Sequence, residues 1–189
     1  MTATRRELLL GLLGCAACGA GVGAGRSTES DGGAGASPDC TKPGAGTDRV
    51  YCLMSPLSVR VRGGASLGIG DAILVNVDDA TAVILARDRL GFFARSAVCT
   101  HACCVVALCG DTDCSSLTPS PGACEMSAVV RMDLEGQALC PCHGSVFRLS
   151  DGMPITGPAK TSLPSFAVSF AGEDAWVNTA TRVLARDRS

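Results

Sequence analysis

Two short stretches contain both of the chain's histidines and five of its 12 cysteines. The first, C-T-H-A-C-C, begins at Cys99 and includes His101, and the second, C-P-C-H-G-S, begins at Cys140 and includes His143. Each stretch can therefore offer one thiolate and one imidazole to a common centre. Such a donor set fits a tetrahedral zinc ion, and it also fits a [2Fe–2S] cluster with cysteines on one iron and histidines on the other.

Each stretch also carries a further cysteine, Cys104 in the first and Cys142 in the second. A disulfide between them could clamp the two loops over a metal site, and zinc fingers rarely need such a clamp. This pair therefore favours the cluster over zinc. A secreted, disulfide-rich zinc-binding module without redox function stays as the alternative.

The paired motifs resemble those of Rieske iron–sulfur proteins over roughly residues 65–180. The first stretch matches C-T-H-x-x-C, and the second matches C-P-C-H-G-S followed by a variable residue and an aromatic one, Phe147. Gly157-Pro158-Ala159 follows where the family has a proline loop over the cluster. Three residues depart from the family pattern: Ala102 replaces a usual Leu of the quinol-oxidising branch, Cys103 replaces a usual Gly, and Phe147 replaces a Tyr.

The resemblance implies four cluster ligands, one cysteine and one histidine from each loop: Cys99, His101, Cys140 and His143. The cysteines would hold the inner iron and the histidines the outer iron near the surface. It also implies a Cys104–Cys142 disulfide, as in the small subunits of quinol–cytochrome c reductase and arsenite oxidase. Finally, it implies that the hydroxyl of Ser145 donates to a bridging sulfide and tunes the potential.

Apolar segments separated by turn residues predict the elements that must hold these loops. They are short strands near residues 72–77, 82–86, 91–98, 128–134, 166–170 and 175–178. Short strands at this spacing indicate an all-β fold, here a Rieske-type antiparallel sandwich or barrel with a small cluster-binding subdomain. The polar, Cys-rich segment at about 106–126 is expected to be an insertion without strands. The net charge of −2 shows no basic excess, which argues against nucleic acid as a partner.

The N-terminal segment predicts export and attachment to a membrane. Residues 1–24 have the layout of a signal peptide with the twin arginines Arg5 and Arg6, and Leu12-Leu13-Gly14-Cys15 resembles a lipobox. A plain cleaved signal and an uncleaved anchor are the alternatives. Residues 25–55 are expected to form a flexible tether, 56–180 the Rieske domain and 181–189 a C-terminal tail.

The remaining cysteines predict further disulfides. Proximity in sequence suggests Cys40 with Cys52. Four others would form two bridges in one of three pairings, unless some stay free: Cys103, Cys109, Cys114 and Cys124.

The resemblance implies an electron-transfer protein or a subunit of a respiratory oxidoreductase, and the N-terminal signal predicts its location in the bacterial periplasm. Its donor would be a quinol or an enzyme partner, and its acceptor a redox protein such as a c-type cytochrome. A complete Rieske oxygenase needs further histidines for a mononuclear iron, and the sequence has none to supply them.

Overall fold

The computed structural model describes residues 53–189, apart from residues 56, 79, 124, 133 and 134. The predicted signal with its lipobox, nearly all of the predicted tether and the suggested Cys40–Cys52 disulfide lie outside the described residues. So does Cys124. In the described part of the chain no helix is long and apolar enough to span a membrane.

The described residues form strands and one short 3-10 turn, Gly64–Ser66, with no α-helix among them. The strands are β1 (Leu53–Ser55), β2 (Ser58–Val61), β3 (Asp71–Asp78), β4 (Thr81–Asp88), β5 (Gly91–Ser96), β6 (Ala107–Cys109), β7 (Leu117–Thr118), β8 (Glu125–Met126), β9 (Val130–Arg131), β10 (Gln137–Leu139), β11 (Val146–Arg148), β12 (Pro154–Thr156), β13 (Ser165–Ala171) and β14 (Asp174–Arg182). The predicted all-β fold is therefore confirmed.

The larger sheet has the order β1-β2-β14-β13-β5-β4-β3-β8, and β9 also pairs with β3. Its central strands are buried on both faces because their alternate side chains enter two different cores. Ala72 and Leu74 belong to one buried cluster, whereas Ile73 and Val75 belong to the other. The second cluster also contains residues of β2 and β14, so the sheet curls around it.

The smaller sheet, β12-β11-β10-β6-β7, carries the metal-site motifs. The first buried cluster contains residues of both sheets, and we call it the inter-sheet core. Its members include Leu74, Ile84, Phe93, Ala97, Cys99, Leu108, Ala138, Cys140, Phe147 and Leu149. The smaller sheet thus forms the predicted cluster-binding subdomain, and it packs on one face of the larger sheet.

The strand predictions agree with β3, β4, β5, β13 and β14, whereas the strand predicted near 128–134 is only the two-residue β9. Several short strands were not predicted. The segment at 106–126 was expected to lack strands, but it contains β6, β7 and β8. β6 pairs with β10 at Leu108↔Ala138. Sequence pattern misses such short strands because distant partners, rather than local apolar alternation, hold them in place.

The predicted boundary at residue 180 is also too early. β14 continues to Arg182, and the backbones of Ser189 and Phe92 exchange two hydrogen bonds of 2.9 Å each. Arg188 lies 2.7 Å from Asp88 in an ion pair. Residues 181–189, predicted as a C-terminal tail, therefore pack against the larger sheet.

Candidate metal centre

The two motif stretches fold into six-residue loops with the same hydrogen-bond pattern. We call the stretch from Cys99 to Cys104 the first ligand loop and the stretch from Cys140 to Ser145 the second. In each, the N–H of the first residue donates to the C=O of the sixth, at 2.8 Å in the first loop and 2.7 Å in the second. The N–H of the fifth residue donates back to the C=O of the first, at 3.0 Å in both. The two loops that carry the predicted ligands therefore have the same backbone conformation.

The fifth residue of each ligand loop has a left-handed backbone. Its φ is 71° at Gly144 and 56° at Cys103. Glycine adopts this conformation without strain, whereas a residue with a Cβ does so at a cost. This explains why glycine is usual at the position that Cys103 occupies here. Cys103 is itself disulfide-bonded.

Neighbouring strands bring the two ligand loops together. The first loop follows β5 and is closed by an isolated bridge between Val98 and Val105. The second connects β10 to β11, whose ends pair at Leu139↔Val146. Because β6 follows the first loop and pairs with β10 at Ala107↔Leu139, the end of one loop lies beside the start of the other.

The inner part of the site holds two thiols. Cys99 and Cys140 are the free cysteines of the described chain, and both are fully buried. Burial raises the pKa of the Cys140 thiol, and a hydrogen bond with the Cys99 side chain raises it further. Two adjacent buried sulfurs are costly as bare thiolates. A bound cation would remove that cost, so the thiol pair suits a metal.

The outer part of the site holds the two imidazoles. The ring centroids of His101 and His143 are 4.8 Å apart, with the planes at 85°. His143 is exposed and His101 is partly exposed. The Nδ1 atom of His101 is nevertheless buried and has no hydrogen-bond partner among the described residues. A buried imidazole nitrogen without a partner is expected at a metal ligand, so the side chains present fit the [2Fe–2S] cluster that the resemblance implies.

A disulfide joins the two ligand loops beside the thiols. Cys104 and Cys142 are bonded, with their Cα atoms 6.5 Å apart and a sequence separation of 38. This is the disulfide that the resemblance implied. The Sγ atom of Cys140 lies within 4.8 Å of both sulfurs of this disulfide. A disulfide sulfur is no thiolate ligand, so this pair clamps the loops and leaves metal binding to the other side chains.

The segment from Gly157 to Thr161, which we call the cap segment, packs on both ligand loops. A Cβ atom at Gly157 would lie 2.4 Å from the Cα of Ser145. The N–H of Ala159 donates to Ser145 Oγ at 3.1 Å, and the hydroxyl of Thr100 donates to the C=O of Thr161 at 2.7 Å. Ser145 is fully buried under this cover. Because its oxygen accepts from Ala159, the Ser145 hydroxyl keeps its own proton for donation to another acceptor.

A second disulfide decides between the pairings that the sequence left open. Cys109 is bonded to Cys114, which is five residues further along the chain. Of the three ways to pair these four cysteines, the one that contains this bond also pairs Cys103 with Cys124. Cys103 is disulfide-bonded, and the bond to Cys124 stays a prediction because Cys124 lies outside the described residues.

Thr100 and Arg95 have no role in the motif predictions, but their side chains make hydrogen bonds to distant parts of the chain. Thr100 lies inside the first motif, but its partner in the cap segment is 61 residues away. Arg95 is 1% exposed, although it is an arginine within the strand GFFARS. A charged residue in an apolar strand is a sequence signal for a buried polar contact, but the signal does not identify the partner.

A comparison with protein-family models agrees with the family that the motifs predicted. A protein-family model described as Rieske [2Fe-2S] domain matches residues 59–167. A similar solved structure is a complex of reduced oxygenase and oxidized ferredoxin in carbazole 1,9a-dioxygenase. Its chain is 21% identical, with a TM-score of 0.41, and the match covers 66% of this chain and 95% of that one. No curated protein sequence matches the chain.

Proposed function

Because this chain belongs to the Rieske [2Fe-2S] domain family, we propose that it is an exported electron-transfer protein or the electron-transfer subunit of a respiratory oxidoreductase. The family assignment itself implies a [2Fe–2S] cluster and electron transfer. The donor is a quinol or an enzyme partner, and the acceptor is a redox protein such as a c-type cytochrome.

One observation carries the proposal. Twin loops bring two buried thiols and two facing imidazoles together, and one imidazole nitrogen is buried without a partner. Cys99 and Cys140 would hold the inner iron, and His101 and His143 the outer iron. When bound, such a cluster supplies one-electron chemistry at roughly −150 to +300 mV.

The chain's own residues set how electrons reach the site. The exposed ring of His143 supports docking of a partner at the imidazole end, because a partner's cofactor could approach its edge directly. The buried thiols and the cap segment keep water from the opposite end. The Cys104–Cys142 disulfide supports a kinship with the disulfide-bearing branch that the resemblance pointed to.

The cofactor assignment is tested by metal analysis of the purified chain. Two irons and acid-labile sulfide per chain, with an electron paramagnetic resonance signal after reduction, are expected. Cys99→Ser should abolish the signal. The control Cys109→Ser/Cys114→Ser, which removes a disulfide outside the ligand loops, should keep it. One zinc per chain without sulfide would instead show the zinc-binding module.

The acceptor is tested by mixing the reduced protein with an oxidised c-type cytochrome in a stopped-flow spectrometer. Loss of the reduced-cluster signal should match the gain in reduced cytochrome, one electron for one. A loaded protein that leaves several c-type cytochromes oxidised would contradict this acceptor while preserving the cofactor assignment.

The location is a proposal from the N-terminal sequence. Arg5 and Arg6 favour a pathway that exports folded cargo, which suits a protein that acquires its cluster before export. Cys15 favours a lipid anchor on the periplasmic side. Cys15→Ala should move the protein from the membrane to the soluble fraction, or block its processing. A mature N-terminus elsewhere without lipid, found by mass spectrometry, would contradict the anchor.

A further inference from the structure

Arg95 lies between the two sheets, on the side that faces the metal site. Side chains alternate along β5, so Arg95 shares a face with Phe93 and Ala97, which both belong to the inter-sheet core. That core also contains the two free cysteines, Cys99 and Cys140. The guanidinium carbon stands 5.3 Å from the centre of the Phe93 ring.

Uncharged groups surround the guanidinium. Nε donates to the C=O of Leu149 at 2.9 Å, and Nη2 donates to the C=O of Ser150 at 2.6 Å and of Ala185 at 2.7 Å. Nη1 donates to the hydroxyl of Ser165. These contacts satisfy the donors but do not neutralise the charge.

The nearby carboxylates are already paired with other arginines. Asp88 forms an ion pair with Arg188 at 2.7 Å, and Asp151 forms one with Arg148 at 2.6 Å. Each of these carboxylates is thus bound to another arginine, whereas the hydrogen-bond partners of Arg95 are uncharged. Burial lowers the pKa of Arg95 to about 10, and the charge of Arg188 lowers it in the same direction. Arg95 is therefore still protonated at neutral pH.

The contacts of Arg95 connect the strands that carry the two ligand loops. Arg95 lies four residues before Cys99, and Leu149 lies four residues after Ser145, the last residue of the second ligand loop. An extended four-residue span is at most about 14 Å long. Each strand therefore leads from Arg95 or its partner Leu149 to a ligand loop within four residues, and the Arg95 side chain is shielded from solvent by protein.

We propose that Arg95 is a redox-tuning residue whose buried positive charge, hydrogen-bonded to uncharged groups, raises the reduction potential of the metal centre. The inference rests on the proposed cluster-binding function. Reduction adds one negative charge to the centre, and a fixed positive charge in a medium of low polarity stabilises that state. At an assumed separation of about 14 Å and an effective dielectric constant of about 20, loss of the charge should lower the equilibrium constant for reduction roughly fivefold to tenfold. This corresponds to a potential lower by roughly 40 to 60 mV, at about 59 mV for each tenfold change.

The experiment is a redox titration followed by electron paramagnetic resonance on the intact, cluster-loaded chain. Arg95→Met should lower the potential by the amount given above, whereas Arg95→Lys, which keeps the charge with fewer donors, should stay near the wild type. Asp151→Asn, which removes a neighbouring negative charge, should raise the potential. This third variant keeps the test decisive if Arg95→Met fails to fold. The matched control is Arg131→Gln, because Arg131 is 74% exposed and its charge is screened by water.

The outcomes separate this inference from the function on which it rests. If the wild-type chain binds zinc, the proposed function fails before Arg95 is tested. If the chain holds the cluster and Arg95→Met and Arg95→Lys shift the potential equally, Arg95 acts by packing and not by charge, and the inference is overturned. An unchanged potential in Arg95→Met together with an unchanged or lower one in Asp151→Asn would also overturn it.

Discussion

Replacement of Ser145 by alanine tests the inner structure of the site. Ser145 is fully buried, and its oxygen accepts a hydrogen bond of 3.1 Å from the N–H of Ala159 in the cap segment. The acceptor that the resemblance implies for its own proton is a bridging sulfide of the cluster. Ser145→Ala therefore removes an acceptor from the cap segment and a donor from the metal centre.

Loss of the acceptor should lower the thermal stability, and loss of the donor should lower the reduction potential. A buried N–H without an acceptor costs about 1 to 3 kcal/mol of stability, so the midpoint of thermal unfolding should fall by at least a few degrees. A donor to a charged group contributes about 1.5 to 3 kcal/mol. If most of that favours the reduced state, the potential should fall by roughly 60 to 130 mV, at about 59 mV for each tenfold change.

The assay pairs thermal unfolding with a redox titration followed by electron paramagnetic resonance. A fall in both quantities is the expected result. If the unfolding midpoint falls while the potential moves by less than about 20 mV, which is too little for a donor of this kind, Ser145 only anchors the cap segment. That result would refute its role as a donor to the cluster.

Three further changes test the scaffold. Cys104→Ser/Cys142→Ser opens a loop of 38 residues, which should cost about 4 kcal/mol on the chain-entropy scale and lower cluster occupancy, as measured by urea unfolding and iron content. Gly157→Ala places a Cβ atom 2.4 Å from a backbone carbon of the second ligand loop at a φ of 93°, so it should cost more than about 2 kcal/mol and loosen the cap segment in hydrogen exchange. Burial raises the pKa of Asp88, but hydrogen bonds from Arg188 and from backbone N–H groups outweigh it and leave the pKa below 3.8. The ionised Asp88 therefore stabilises the folded state fully at pH values above 3.8, and this contribution is lost as the pH falls below 3.8. Asp88→Asn should therefore weaken the decrease in unfolding free energy at acidic pH.

Two matched changes serve as controls for these predictions. Cys109→Ser/Cys114→Ser opens a loop with a separation of only five residues, so the cost should be near 2 kcal/mol, a smaller value on the same scale. Gly172→Ala introduces a side chain at a φ of 63° with nothing within 4 Å of the Cβ atom. It therefore measures backbone strain without the clash at Gly157. Equal losses in Gly157→Ala and Gly172→Ala would contradict close packing of the cap segment.

The sequence alone determined the chemistry of the site. The predicted ligands Cys99, His101, Cys140 and His143 belong to two local motifs, and the types and spacing of these residues are enough to predict a shared metal centre. The long strands were also predictable, because alternating apolar residues such as those of β3 and β4 carry a strong local signal. These features depend on residues that are close together in the chain.

Tertiary structure decided which distant groups meet. The Cys109–Cys114 bond was one of several pairings allowed by the sequence, and β6 is a strand because β10 lies beside it. Burial of Arg95 follows from carbonyl groups 54 to 90 residues away along the chain. Hydrogen bonds and dielectric environment depend on three-dimensional neighbours that no local pattern specifies. The sequence therefore indicated which atoms would bind a metal, whereas the fold determined how deeply they are buried and which charges surround them.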